Sequence, residues 1–325
     1  MKRIALLLTC IVYSLCIPVI SAAAQDVTDG YVALREQDLR LARIAERLQQ
    51  ANVHMCNAKM PITGLLLHTR DQYTDPRPRW FANGDIAVAD VVPGSPADMA
   101  GVRANDALLA IGQVDTETLQ TVGEQPLRDT VFALLADQTA DAPVALGLQR
   151  GEEAINLAIS PRPGCRVLVE ILAQDSIRAL SDGRVLQVTY GLAVRSSDDE
   201  LAVVVAHELA HVVMEHRRRL EAAGVSKGLL GEFGRNQRLN RQVEVEADRL
   251  SVHLMANAGY DPQIAPAFWH SDAGKSAGSG ILRSAAYPSP TQRGEMLAVE
   301  IARYLRLGSG TSMPGHLLYL RDIPF

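Results

Sequence analysis

His207, Glu208 and His211 stand together in the apolar stretch AVVVAHELAHVVMEH, residues 202–216. His207 and His211 are four apart, so a helix of about 3.6 residues per turn projects them from one face. Two imidazole nitrogens placed that way can each lie about 2.0–2.1 Å from one Zn²⁺. Glu208 follows His207 and is turned about 100° from it, within reach of a metal-bound water without ligating the metal. H-E-x-x-H on a helix is the zinc peptidase pattern for that geometric reason. The bland alternative is a histidine pair satisfied inside a core helix. Ser197 and Glu200 stand at capping-box spacing, with Asp198 and Asp199 in the first turn, which starts a helix ahead of the motif.

A catalytic zinc needs a third protein ligand and one open position. The extended pattern with a glycine and a third histidine is excluded, because Met214 and Arg217 occupy those places. NRQVEVEADRL, residues 240–250, supplies the alternative. Glu244 and Asp248 share a helix face; Glu244 is expected as the third ligand. Asp248 is expected to accept the second N–H of a zinc-bound histidine and fix its tautomer. Glu246 is a rival ligand at a different helix angle, and a solvated acidic face is the bland reading of all three. His216, five residues past His211, falls off the ligand face and reads as a surface or capping histidine. His253 and His270 have no partner pattern. Arg217, Arg218 and Arg219 read as serving the negative end of a helix.

These residues need a body to hold them. Leu34, Leu41, Ile44 and Leu48 recur at helical spacing, predicting a helix over about Asp29–Gln50 that packs on the main body. From about Pro61 to Pro163 short apolar runs alternate with Gly, Pro, Asn and Asp. RVLQVTYGLAVRS has strand character, and its Gln187–Ala193 portion is expected to pair edgewise with an extended substrate. A further helix opens near Asn240. Another starts at Ser289-Pro290, with Gln292 at capping-box spacing, and ends at Gly308. Glycine-bearing stretches, Gly224–Gly234 and SDAGKSAGSG, are expected to gate the cleft.

PGSPADMAGVRANDALLAIG resembles a PDZ domain, with Asn105 where such domains often carry glycine in a turn. The resemblance implies peptide capture by strand addition, with exposed C-termini as partners, although no Gly-Leu-Gly-Phe-type loop stands near Phe81–Ile86. DELAVVVAHELAHVVMEH followed by EVEAD resembles the M48 zinc metallopeptidases, over roughly Val167–Leu307. That resemblance also implies Glu244 as ligand. Family members usually carry a His-Pro and a following arginine near the active site, thought to stabilise the oxyanion. Here the stretch is YPSPTQR, so Tyr287 replaces the histidine and Arg293 is kept. The expected fold is α+β: a mainly helical zincin-type peptidase domain with a small β-rich PDZ-like domain inserted N-terminal to the catalytic core. The expected boundaries are 25–60 for the helical segment, 61–163 for the PDZ-like domain and 164–325 for the peptidase.

Lys2 and Arg3, an apolar run over 4–17, and Ser21-Ala22-Ala23-Ala24 have the pattern of a secretory signal peptide over residues 1–24, cleaved after Ala24. An uncleaved form would be a membrane anchor. Without that segment no transmembrane helix is expected, and peripheral membrane association stays open. Cleavage would leave two of the four cysteines, Cys56 and Cys165, with one intramolecular pairing. Their disulfide would staple the ends of the insert and contribute roughly 4 kcal/mol on chain-entropy grounds. The formal charge of −5 and scattered basic residues argue against nucleic acid. Together these features predict an exported, periplasmic endopeptidase with one zinc per chain, acting on unfolded or damaged envelope proteins that the PDZ-like domain recruits. The alternative is a chaperone-like binding module with a latent or structural zinc; intact Glu208 and a three-ligand set oppose it.

Overall fold

The computed structural model describes residues 22–74, 80–121, 123, 126–181, 185–225, 234–277, 288–305 and 310–325. Tyr287 and most of the expected signal peptide and glycine stretches lie outside them. The chain divides into two units, 1–33 and 34–325; helix α1 begins in the first, and all the packing, hydrogen bonds and site geometry lie within the second. No helix among the described residues is long and apolar enough to cross a membrane.

Helix α1 spans Ala22–Ala51. Its Leu41, Ile44, Ala45 and Leu48 are buried in the largest hydrophobic cluster among the described residues, as the helical spacing predicts. Polar side chains of α1 and of Asn52, just past its end, reinforce the docking. Gln49 Nε2 donates to the carbonyls of Cys165 (3.1 Å) and Val167 (2.6 Å), and Asn52 Nδ2 donates to Leu254 O (3.1 Å).

Strand β1 (Lys59–Ile62) pairs antiparallel with β8 (Arg162–Cys165). Cys56 and Cys165 are joined by a disulfide at the foot of this stalk, with Cα atoms 5.5 Å apart. Between the two stalk strands lies a sheet of β2 (Leu65–Thr69), β3 (Ile86–Val91), β4 (Ala107–Ile111), β6 (Val144–Arg150) and β7 (Glu153–Ile159), in the order β2-β3-β4-β6-β7. The short β5 (Val114–Asp115) pairs with β4. Helices α2 (Pro96–Met99) and α3 (Leu127–Ala136) belong to the same body. Ala97, Val131 and Leu135 join Leu67, Val88, Leu108 and Leu146 in its own core. Asn105 takes a left-handed φ of +71°, the conformation that Asn tolerates in a turn.

At the stalk, Glu46 of α1 accepts the Gly64 N–H. Burial raises its pKa from 4.5 to about 7, offset in part by Gly64 and by Arg162. A carboxyl whose pKa is higher in the folded state stabilises the fold when protonated. That contribution is complete below its ordinary pKa and is lost as pH climbs through about 7. Stability should therefore fall between about pH 5 and 8, by at most about 3 kcal/mol and less to the extent that Glu46 keeps solvent contact. Urea midpoints measured across that range should show Glu46→Gln with the flatter slope. Equal slopes would remove Glu46 as the cause. Asp38, raised by burial to about 6, leaves a residual slope in both proteins.

The rest of the unit is the helical body. Strands β9 (Leu168–Leu172), β10 (Ala179–Ser181) and β11 (Val185–Thr189) form a small sheet ordered β10-β11-β9, with β11 parallel to β9. This corrects the expectation for Gln187–Ala193. β11 is the central strand with both edges taken, and the chain then turns into helix α4 (Tyr190–Ala193). The turn is tight: a Cβ on Gly191 would meet Asp175 O at 2.0 Å. Helix α5 (Asp198–Val213) follows, and its Ser197–Glu200 capping box is formed. Leu201, Val203, Val205, Leu209 and Val213 are buried around its circumference, as expected of a central core helix.

Helices α6 (His216–Ala222) and α7 (Gly234–Asn257) come next, α7 starting ahead of the predicted Asn240. Helices α8 (Ile264–His270), α9 (Asp272–Ala277), α10 (Pro290–Tyr304) and α11 (Gly315–Leu318) complete the body. The capping box of Ser289 and Gln292 opens α10 as predicted, but the helix ends at Tyr304 with Leu305 extended, short of the predicted Gly308.

Candidate metal centre

Helices α5 and α7 pack against each other and bring three ligand-type side chains together. His207 Nε2 lies 3.2 Å from His211 Nε2 and 3.3 Å from Glu244 Oε2, and His211 Nε2 lies 3.6 Å from Glu244 Oε1. A four-coordinate zinc with bonds of about 2.0–2.2 Å requires donor atoms about 3.3–3.6 Å apart, so the spacing fits such an ion. Among the described residues a second group, His253, Glu300 and His316, could also be considered for a metal. There Glu300 Oε1 is 3.0 Å from His253 Nε2 and 2.7 Å from His316 Nε2, too short for a tetrahedral edge and right for direct hydrogen bonds. Arg249 donates to the other Glu300 oxygen at 2.7 Å, and His253 Nδ1 meets Ser312 Oγ at 2.7 Å. This second group is a buried polar clasp that ties the C-terminal segment to α7 and α10.

Asp248, one turn beyond Glu244, accepts the Nδ1–H of His207 at 2.9 Å. Arg293 of α10 clamps that carboxylate, its Nε donating to Oδ2 at 2.7 Å and its Nη2 to Oδ1. The guanidinium also lies over the Trp269 ring, 3.3 Å from the centroid. The resemblance places this arginine near an oxyanion; the structure brings it to the centre through Asp248. Burial alone would raise the pKa values of Glu244 and Asp248. For Glu244 the two histidines, and for Asp248 Arg293 and His207, outweigh it and keep both ionised. His207 is buried too, yet its bonds to Asp248 and Glu244 lift its pKa to about 10, so a proton and a metal compete for its Nε2. Glu208 is half-buried on α5 and stands outside the ligand triad.

Two expectations need correcting here. His216 is not a surface histidine: it is 2% exposed, with Nδ1 2.8 Å from His211 Nδ1 and Nε2 3.1 Å from Glu246 Oε2. The cause is Glu215, which adopts a left-handed φ of +51° between α5 and α6. That turn ends α5 and swings His216 back over the metal helix. The arginine run does not close a helix either. It opens α6, where Arg217 pairs with Glu221, Arg218 with Glu215, and Arg219 turns inward to Glu246 Oε2 at 2.6 Å. Glu246, the rival ligand, is thus engaged away from the triad. Burial would raise its pKa, but bonds from His216, Arg219 and Gln242 hold it at about 2. His216 is pushed down to about 4, chiefly by burial. His270 is exposed.

Two segments of the chain match known domain families, one a peptidase family and the other the PDZ domain family. Residues 149–236 match peptidase family M48 and residues 87–124 match the PDZ domain family. Among curated proteins, the mitochondrial metalloendopeptidase OMA1 of Arabidopsis thaliana is 27% identical over 199 residues, covering 54% of this chain and 40% of that protein. The protein of the same name from Schizosaccharomyces pombe is 28% identical over 134 residues, covering 35% of this chain and 40% of that one. The chain thus spans about two fifths of the length of these curated relatives. Among solved structures, the HtrA3 PDZ domain bound to a phage-derived ligand matches at 20% identity and a TM-score of 0.23, over 32% of this chain and 88% of that one.

Proposed function

We propose that the chain is an exported, zinc-dependent endopeptidase acting on unfolded or damaged envelope proteins. The observation that carries this is the triad of His207, His211 and Glu244 at tetrahedral spacing, with Glu208 beside it but not in it. His207, His211 and Glu244 would hold the ion, and Asp248 would orient His207. Zinc, when bound, lowers the pKa of a bound water toward about 7 and polarises a carbonyl. Glu208 accepts the proton of the attacking water and returns it to the leaving amine. Tyr287 departs from the family's histidine and would serve there only by donating through its hydroxyl, while Arg293 acts through Asp248. The Cys56–Cys165 disulfide suits an oxidising compartment, which supports export.

The PDZ domain recruits substrate. Strand β2 is an edge of its sheet and lies beside α3, so an extended peptide or free C-terminus can add there as a further strand. The deciding experiment is cleavage of unfolded casein by the purified chain before and after metal removal with 1,10-phenanthroline. Cleavage should stop on chelation and return with one equivalent of Zn²⁺. Cleavage indifferent to chelation, or a zinc-loaded protein that leaves casein intact, would reject the reading.

A further inference from the structure

His216, Glu246 and Arg219 form a buried polar group that the hydrolytic chemistry does not use, yet it ends on a metal ligand. We infer that His216 and Glu246 are a hydrogen-bond relay that fixes His211 in its metal-binding tautomer, as Asp248 and Arg293 do for His207. The inference rests on the zinc reading above.

The direction of the relay follows from its far end. An ionised carboxylate only accepts, and Glu246 already takes donors from Arg219 (2.6 Å) and Gln242 (2.8 Å). His216 Nε2, 3.1 Å from Glu246 Oε2, must therefore be the N–H that donates to it. A neutral imidazole has one N–H, so His216 Nδ1 is an acceptor. It faces His211 Nδ1 at 2.8 Å, which must then carry a proton and donate it. The remaining nitrogen of His211, Nε2, is left with its lone pair, 3.2 Å from His207 Nε2 and 3.6 Å from Glu244 Oε1.

The opposite polarity fails at both ends. It would set a bare His216 Nε2 against a carboxylate oxygen in a site where His216 is 2% exposed, and put a proton on His211 Nε2 where the metal must bind. A doubly protonated His216 would likewise force the proton onto His211 Nε2. Nor does Glu246 call for that second cation, since Arg219 already matches its charge at 2.6 Å. Each of the two ligating histidines is thus oriented from two helices, His207 from α7 and α10, His211 from α6 and α7. The left-handed residue Glu215 makes the second arm possible, because a continuous helix would carry His216 to the far side.

Two measurements on the zinc-loaded full chain test this. Long-range ¹H–¹⁵N spectra of histidine-labelled protein should show His211 protonated at Nδ1 and His216 at Nε2. Competition with a chromophoric chelator should show His216→Phe binding zinc about 10–100-fold more weakly, the usual cost of losing such a partner. His216→Gln, which can accept from His211 and donate to Glu246, should stay within a few-fold of wild type. A folded His216→Phe with wild-type zinc affinity, or His216 protonated at Nδ1, overturns the relay. Should His216→Phe fail to fold, the wild-type spectrum still decides. Wild-type protein that takes up no zinc at all would instead overturn the metal reading itself.

Discussion

Glu208→Gln should keep its zinc and lose casein-cleaving activity by at least about 10²–10⁴-fold, the range that one positioned acid–base group contributes. Glutamine has nearly the same shape, so α5 and its packing should be unaffected, but it cannot accept a proton from water. Glu208 is turned about 100° from His207 on the helix and stands outside the ligand triad, so the metal should not notice the change. The expected signature is therefore a split: metal content by elemental analysis stays at one ion per chain while kcat/KM collapses. Activity within tenfold of wild type would mean another group takes the proton. Loss of the ion would make Glu208 a ligand and return the third position to debate.

What could be read from the sequence was what a single helix determines. His207 and His211, then Glu244 and Asp248, are each four apart, and periodicity alone puts each pair on one face. The capping boxes at Ser197 and Ser289 are local patterns of the same kind, and both are formed. The turn at Asn105 came through the PDZ resemblance, and its left-handed φ gives the physical reason why such domains often carry glycine there. The misreadings share the opposite property. His216 was placed by extending α5 through Glu215, and no local signal marks a glutamate as the residue that will turn left-handed. Arg219 looked like one of three solvated arginines because its partner, Glu246, is 27 residues away on another helix. Strand character at 187 was real, but whether a strand is central or at an edge depends on β9 and β10, which no alternation pattern can reveal. Arg293 came only from a family resemblance; its contact with Asp248, 45 residues distant, supplies the physical reason for it.

That contact carries the largest expected effect on stability. Asp248 is 1% exposed, and its two oxygens are taken by Arg293 and the Nδ1–H of His207. Arg293→Met would remove the cation and both of its donors, leaving an ionised carboxylate in a buried site with only His207 for company. Removing one partner of a buried ion pair costs about 3–5 kcal/mol, because the remaining charge has lost its compensation. Arg293→Lys should recover little of this, since an ammonium cannot reproduce the two-point fork or the planar stacking on Trp269. Adding Asp248→Leu to Arg293→Met should restore much of the lost stability, as an apolar pair can replace a buried ionic one. It should not restore zinc affinity, because His207 would then have no acceptor for its Nδ1–H. The measurement is urea denaturation of metal-free protein, so that ligand binding does not mask the fold's own stability, followed by zinc titration. A loss below about 1 kcal/mol in Arg293→Met, or tight zinc binding by the double variant, would show that Arg293 does not support the metal helix through Asp248.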